Sequence, residues 1–189
     1  LHDAALQGNV QSLLNLLQED PLILDRYNPD NTSNYTPSPL HVAVNNGHLD
    51  FTREILSRKP ELTEEVDQIR TWSPLHVASG KDNLEIVKTL ISVNSNMGLA
   101  RDVDGLNPVH IAAVRGQVHG LDELVKVVPQ AARVRGNDVE TVLHLCVKHC
   151  QVDALVYLVN VELLNYRDCD GNTVLHLAVA SKQPEVKPG

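Results

Sequence analysis

The chain has 189 residues and a formal net charge of −8, so its surface is expected to repel nucleic acid rather than bind it. Its hydrophobic content of 42% is typical of a water-soluble globular chain, and no stretch of about 18 apolar residues predicts a membrane-spanning helix within this segment. The three cysteines are too few for a disulfide framework and indicate a reducing, intracellular setting.

One hexapeptide recurs along the whole chain. Its clearest copy is Ser38-Pro39-Leu40-His41-Val42-Ala43, and a histidine marks every copy. The motif histidines are His2, His41, His76, His110, His144 and His176, separated by steps of 39, 35, 34, 34 and 32 residues. The Ser or Thr that opens the motif is a helix N-cap. Proline suits the next position, the first of the helix, because the N–H that it lacks would have no partner there. The nearly constant step therefore predicts a solenoid whose repeats each begin with a short helix.

Each repeat is predicted to contain an inner helix at the motif and an outer helix after a short turn. The spacing of apolar residues places four outer helices at about 10–17, 49–57, 84–91 and 152–159. Neither helix can bury its apolar stripe alone, so stacking of neighbouring repeats must supply the core. We therefore predict one domain over residues 1–189, with repeats at about 1–33, 34–66, 67–100, 101–133, 134–166 and 167–189, the last of them incomplete.

Two segments depart from the regular repeat. Residues 25–37 lengthen the first step by about five residues, and their Asn, Pro, Asp and Ser content favours an extended or turning finger over a helix. Such an insertion either belongs to the binding face or is a tolerated surface loop. Residues 182–189 hold too few apolar side chains for an outer helix, and no polar cap follows. Since the chain also starts inside a motif copy, we expect it to be part of a longer protein.

The cysteine and histidine residues could suggest a metal or catalytic site, but their pattern does not favour one. Cys146, His149 and Cys150 share a helical face, whereas a structural zinc site needs four ligands. Cys146 also occupies the alanine position of its repeat, and Cys150 the position of the turn glycine. No Ser–His–Asp order, glycine-rich phosphate loop or carboxylate pair accompanies the motif histidines. We therefore predict no catalytic residue, no metal site, no cofactor and no enzymatic activity.

The hexapeptide at this period resembles the ankyrin-repeat family, and the resemblance covers essentially the whole chain. It implies an all-α solenoid of about six helix-turn-helix repeats with hairpin fingers. It also implies that the motif histidines are structural, because in ankyrin proteins they hydrogen-bond backbone groups near the fingers.

A narrower likeness involves both ends of the sequence. Leu1-His2-Asp3-Ala4-Ala5 is similar to the opening of plant ankyrin-repeat proteins with a C-terminal membrane domain named for its Pro-Gly-Gly, and residues 168–178 resemble their late D-x-D-G-N-T-x-L-H-L-A repeat. This resemblance implies repeats on the cytoplasmic face of a membrane, the plasma membrane, with the anchor outside the present sequence. It also implies a role in signalling or defence.

In ankyrin stacks the concave binding surface comes from the finger tips and from the last residues of the inner helices. On that basis the candidate partner-binding residues are Tyr35, Asn45, Asn46, Arg70, Trp72, Lys81, Asp104, Leu106, Arg115, Glu140, Lys148 and His149. Tyr35 and Trp72 are expected on neighbouring fingers, outside the core between repeats and beside a basic strip. Exposed Trp, Tyr and Arg are the residue types that dominate interface energy. Alternatively, Trp72 packs as filler against the preceding finger.

Two functions remain open from the sequence. The first is a protein-binding module within a membrane-anchored plant protein, whose partner is a protein or peptide that is acidic and carries an apolar anchor. The alternative is self-association of the repeats, or regulation of the chain's own C-terminal membrane region. Neither nucleic acid nor a small-molecule substrate is expected as a partner.

Overall fold

Residues 1–25, 37–81, 83–136 and 140–159 are described by the computed structural model, together with Gly171, His176 and Val179. Every regular element in these residues is helical. The α-helices are α1 (His2–Gln7), α2 (Val10–Glu19), α3 (Pro39–Asn45), α4 (Leu49–Arg58), α5 (Pro74–Ser79), α6 (Leu84–Val93), α7 (Pro108–Val114), α8 (Val118–Val127), α9 (Val142–Lys148) and α10 (Val152–Val159). Short 3-10 helices follow three outer helices, at Pro60–Glu64, Ser95–Leu99 and Pro129–Arg133. None of the helices in the described residues is long and apolar enough to cross a membrane.

The helices form two stacked layers, which confirms the predicted helical solenoid. The inner helices α1, α3, α5, α7 and α9 each contact the next one along the chain, and the outer helices α2, α4, α6, α8 and α10 do the same. The small motif residue lies between inner helices and is fully buried in four repeats, as Ala43, Ala78, Ala112 and Cys146. Cys146 therefore fills the alanine position, as the spacing predicts. Residues 26–36 of the predicted finger at 25–37, which include Tyr35, and the predicted end at 182–189 lie outside the described residues.

The motif residues start the inner helices in the way the sequence predicts. Ser38 Oγ accepts a hydrogen bond from the N–H of His41 at 3.3 Å, and Pro39 takes the first helical position. Ser73 and Asn107 cap α5 and α7 in the same way. Each cap satisfies an N–H of the first helical turn that has no partner within the helix.

Three motif histidines each form a hydrogen bond with the finger that follows their own repeat, which confirms their predicted structural role. The Nε2–H of His41 donates to the carbonyl of Trp72 at 2.8 Å, that of His76 to Leu106 at 3.2 Å, and that of His110 to Val134 at 3.0 Å. Because a carbonyl only accepts, the ring proton must be on Nε2. Nδ1 is then free to accept from the N-cap, as from the N–H of Ser73 at 3.2 Å. His2 differs from these three because its side chain is exposed.

The turn between inner and outer helices needs a left-handed backbone. Gly8, Gly47 and Gly116 have φ values of 64°, 79° and 69° there, and Cys150 has 56°. Cys150 thus adopts the glycine conformation that its position predicts, although its side chain makes that conformation costly.

Three outer helices extend beyond their predicted ends. The apolar stripe suggested ends at about 17, 57 and 91, whereas α2, α4 and α6 end at Glu19, Arg58 and Val93. The reason is that the following residues Asp20, Lys59 and Asn94 still donate their N–H groups to carbonyls four residues back. Helical hydrogen bonding therefore continues for two residues past the last buried side chain of each helix.

Candidate partner-binding groove

Two neighbouring fingers are each held by one aspartate. In the Trp72 finger (residues 67–72), the carboxylate of Asp67 accepts hydrogen bonds from the N–H groups of Ile69, Arg70 and Trp72 at 2.7–2.9 Å. In the Leu106 finger (residues 102–106), Oδ1 of Asp102 accepts from the N–H groups of Asp104 and Leu106 at 3.0 and 2.8 Å. Aspartate suits this position because its short side chain reaches the backbone two residues on. Both fingers are therefore rigid supports.

Trp72 joins the two fingers. Its indole Nε1–H donates to Oδ2 of Asp102 at 2.9 Å, and nearby the N–H of Val103 donates to the carbonyl of Arg70 at 3.1 Å. The guanidinium carbon of Arg70 lies 5.0 Å from the centre of the Trp72 ring, within cation–π distance. The ring also stacks near that of His76, with 6.5 Å between centroids. Trp72 is half-buried and is not part of the hydrophobic core between the repeats, but its polar edge is hydrogen-bonded to the following finger.

A groove runs between these fingers and the inner helices α7 and α9. Its first part is a cavity of about 340 Å³ lined by Arg70, Trp72, Asp102, Asp104, Leu106, Ile111, Val114, Arg115, Leu145 and His149. An adjoining cavity of about 420 Å³ is lined by Asp104, Leu106, Gly136, Glu140, Leu145, Lys148 and His149. We call the two together the central groove, with a Trp72 end and a Lys148 end. Its volume is in the range of cavities that bind ligands or side chains of a partner.

The central groove contains most of the candidate residues that the sequence indicates. Those that line it are Arg70, Trp72, Asp104, Leu106, Arg115, Glu140, Lys148 and His149. Asn45, Asn46 and Lys81 are exposed near the ends of α3 and α5 but do not line it. Tyr35 lies outside the described residues, so its expected place beside Trp72 stays a prediction.

The candidate list lacks five lining residues, which are Asp102, Ile111, Val114, Gly136 and Leu145. Ile111 and Val114 on α7 precede Arg115 by four residues and one residue, so Ile111 falls on the helical face of Arg115. Leu145 on α9 directly follows its motif histidine, as Ile111 does. Helical periodicity counted back from Arg115 and His149 identifies both of these apolar residues. Asp102 was also missed, although an aspartate shortly before a Gly turn is a known signal for a side chain that closes the turn.

Charge is unevenly distributed along the central groove. Lys148 Nζ lies 3.1 and 3.2 Å from the two carboxylate oxygens of Glu140, so its charge is already balanced. Among the described residues, no carboxylate lies within ion-pair distance of the guanidinium group of Arg70 or Arg115. The expected basic strip is therefore confined to the Trp72 end, since Lys148 is neutralised and Lys81 lies elsewhere.

The two cysteines near the Lys148 end differ in burial. Burial raises the pKa of the Cys146 thiol to about 12, so the thiolate that would bind a metal is disfavoured. Cys150 is exposed and Cys146 is buried. Within the described part of the chain, no group of three or more His, Cys, Asp or Glu side chains is arranged to hold a metal ion.

The structure consists of two stacked layers of short helices, and its fingers border a groove along the inner layer. This architecture defines the class of helical repeat proteins that present an extended surface. Sequence comparison agrees with this geometry. The family described as Ankyrin repeats (3 copies) matches residues 1–99, 40–138, 75–160 and 109–187, and the chain belongs to this family. Ankyrin repeats are general protein–protein interaction modules and are typically not enzymes.

Several known proteins share this similarity over much of the chain. The chain is 28% identical to the Target of rapamycin complex 2 subunit AVO2 of Saccharomyces cerevisiae over 142 residues, which is 74% of this chain and 33% of that protein. It is 29% identical to Ankyrin repeat and SOCS box protein 11 of Mus musculus over 80% of this chain and 47% of that protein. It is 26% identical to the Nuclear factor NF-kappa-B p105 subunit of Gallus gallus over 95% of this chain and 18% of that protein. The chain thus spans less than half the length of each of these relatives.

Proposed function

We propose that the central groove binds a segment of a partner protein, with Trp72 as the apolar contact and the nearby arginines attracting an acidic residue. One observation carries this proposal: Trp72 is only partly buried, although Asp102 and Arg70 contact its ring and the Asp67 carboxylate accepts its backbone N–H. A large aromatic side chain held in place loses little conformational entropy when a partner binds. Tryptophan and arginine in such a setting are the residues that most often dominate binding energy.

The whole protein is proposed to be a plant protein in signalling or defence, held at the cytoplasmic face of the plasma membrane by an anchor outside this sequence. The support is the likeness of residues 1–5 and 168–178 to plant ankyrin-repeat proteins with a C-terminal membrane domain. In that setting the central groove would recruit a partner to the membrane. A full-length protein that carries a fluorescent tag tests this placement, because a uniformly cytosolic signal would contradict it.

Selection of peptides tests the binding proposal directly. A display library of random peptides is selected on the immobilised chain, and the affinity of the enriched peptides is then measured for the wild type and for Trp72→Ala. We expect Trp72→Ala to weaken binding by about 2 kcal/mol or more, close to thirtyfold in Kd. Lys126→Ala is the control, because Lys126 is exposed on the outer helix α8 and does not line the central groove.

Two results would contradict the proposal. One is a set of peptides that bind Trp72→Ala as tightly as the wild type while circular dichroism shows that both are folded. The other is a library that yields no enriched peptide. Light scattering on the purified chain tests the alternative function, self-association of the repeats. If the chain self-associates and Trp72→Ala abolishes the association, the groove binds a second copy of the chain.

A further inference from the structure

We infer that the central groove is directional: an acidic side chain of the bound segment lies at the Trp72 end, between Arg70 and Arg115, and none lies at the Lys148 end. This inference rests on the proposed function and goes beyond it, because it assigns a position to the acidic residue. It also identifies which of the basic residues in the groove select for that residue.

The two arginines have hydrogen-bonding capacity that the described residues do not use. The guanidinium carbon of Arg70 lies over the Trp72 ring, 5.0 Å from its centre, and the side chain is exposed, so its N–H groups are accessible to a bound segment. Arginine uses such N–H groups to bind a carboxylate through two parallel hydrogen bonds. The cation–π contact with the indole restricts the guanidinium, which reduces the entropy lost when a carboxylate binds.

Arg115 lines the same cavity at the end of α7. It follows the last residue of α7, where the partial negative charge of a helix end favours a cation, and its side chain is exposed. Arg70 and Arg115 therefore place two positive charges in one cavity of about 340 Å³ with no ion-pair partner among the described residues. A carboxylate between them would be attracted by both.

Two carboxylates, Asp102 and Asp104, also line the Trp72 end, and they differ in how far they offset the positive charge of the two arginines. Asp102 is only 8% exposed, and its oxygens already accept from Trp72 Nε1 and from two backbone N–H groups. It is therefore engaged in holding the fingers. Asp104 is exposed and lines both cavities, so it lies between the two ends of the central groove.

The Lys148 end has the opposite character. It is lined by the carboxylates of Asp104 and Glu140 and by one lysine, which is bonded to both oxygens of Glu140. Because Asp104 lines both cavities, the two ends differ in their cations and in Glu140: a second acidic residue at the Lys148 end would meet Glu140 and a lysine that is already bonded to it. Like charges at such short range disfavour binding, which gives the groove its selectivity for the position of the acidic residue.

The test uses the random peptide library on the wild type, on Arg115→Gln and on the double variant Glu140→Gln with Lys148→Gln. We expect Asp or Glu to be enriched in peptides selected by the wild type and by the double variant, and to lose enrichment with Arg115→Gln. The double variant removes the ion pair without changing the net charge. Lys88→Gln is the control for Arg115→Gln, because it removes one positive charge on the outer helix α6.

A charge exchange then locates the contact. Changing the selected peptide's acidic residue to lysine should weaken its binding to the wild type, and Arg115→Glu should restore it, whereas Lys148→Glu should not. With the unchanged peptide, Arg115→Gln alone should raise Kd up to about fivefold, the range of a partly exposed ion pair.

The outcomes separate this inference from the proposed function. If Trp72→Ala abolishes peptide binding but stays folded by circular dichroism, and Arg115→Gln acts no more strongly than Lys88→Gln, the central groove binds a segment but the directional inference is overturned. The same holds if Lys148→Glu, rather than Arg115→Glu, restores binding of the lysine peptide. If Trp72→Ala leaves peptide binding unchanged, the proposed function itself fails.

Discussion

The indole nitrogen of Trp72 and the carboxylate of Asp102 lie 2.9 Å apart, and their hydrogen bond joins two fingers separated by 30 residues of sequence. Asp102 also accepts the N–H groups of Asp104 and Leu106, so one buried carboxylate holds its own finger and the neighbouring tryptophan. Trp72 consequently contributes to stability as well as to the groove. Any variant of Trp72 must therefore be examined for both effects.

A double-mutant cycle should measure this coupling. Trp72→Phe keeps an aromatic ring but removes the N–H donor, and Asp102→Asn places an amide where the charged acceptor was. We expect each variant alone to lower the free energy of unfolding by about 1.5–3 kcal/mol, because a hydrogen bond to a buried charge is lost. The double variant should lose less than the sum of the two, with a coupling energy of at least about 0.5 kcal/mol in urea denaturation. Strict additivity would show that the hydrogen bond contributes nothing in solution.

The motif histidines should matter for stability alone. His76→Ala removes the donor to the Leu106 carbonyl and the acceptor for the Ser73 N–H, and His110→Ala removes the matching contacts of Val134 and Asn107. Leaving such buried groups unsatisfied should cost about 1–3 kcal/mol in each variant. His2→Ala is the control, since His2 is exposed and should change stability by less than about 0.5 kcal/mol. A chelator should leave the Tm of the wild type unchanged, and a lowered Tm would instead indicate a metal-dependent fold.

The same histidines should make the fold sensitive to mild acid. Burial lowers the pKa of His41, His76 and His110 below the ordinary value of 6.5, and that of His110 to about 4. Between these two values the unfolded chain binds a proton at residue 110 that the folded chain does not, so the free energy of unfolding falls as the pH falls. It should fall more steeply in the wild type than in His110→Ala when urea unfolding is followed from pH 6.5 towards 4. Carboxylate titration is common to both proteins, so equal slopes would contradict the lowered pKa of His110.

Cys150 and Gly116 provide a reciprocal pair of variants at equivalent turns. Cys150 has a left-handed backbone with φ of 56°, and Gly116 has the same conformation one repeat earlier with φ of 69°. Cys150→Gly should raise the free energy of unfolding by roughly 0.5–1 kcal/mol, because relief of strain exceeds the added freedom of the unfolded chain. Gly116→Ala should lower it by more than about 1 kcal/mol, since its Cβ would also meet Oε1 of Gln151. Cys150→Ala keeps a Cβ and should show no such gain, and a gain as large as that of glycine would exclude backbone strain as the cause.

The sequence predicted the features of the fold that are formed by residues close together in the chain. Ser38, Pro39 and His41 form their cap and helix start within one turn, so the repeated sequence contained the whole of that pattern. Cys150 was predictable for the same reason, because a fixed count from the motif histidine places it in the glycine turn.

The central groove was predictable only in part. Arg70, Trp72 and Arg115 were identified from their counts within a repeat, but the bond of Trp72 to Asp102 joins different repeats and depends on how far the fingers lean towards each other. The pairing of Lys148 with Glu140 likewise depends on side-chain direction, since the two residues are eight positions apart. Such contacts are set by the packing between repeats, which no count along one repeat contains.

Variants of Thr71 test whether the Trp72 finger contains backbone strain next to Trp72. Its φ of 55° is left-handed, which is unfavourable for a β-branched residue, and the next finger has Gly105 with φ of 72° at the same place. The Asp67 carboxylate bonds to three N–H groups of this finger and so compels the conformation, while Thr71 Oγ1 donates to the Arg70 carbonyl at 2.7 Å.

We expect the free energy of unfolding to decrease in the order Thr71→Gly, Thr71→Asn, wild type and Thr71→Val. Thr71→Gly should gain roughly 1 kcal/mol, because only glycine adopts this conformation without a steric cost. Asparagine tolerates the left-handed region better than other residues, and Thr71→Val keeps the branched Cβ but loses the hydroxyl donor. Urea denaturation of the four proteins measures the order. A wild type more stable than Thr71→Gly would mean that the Thr71 hydroxyl outweighs the strain, so residue 71 would then hold the Trp72 finger rather than store strain in it.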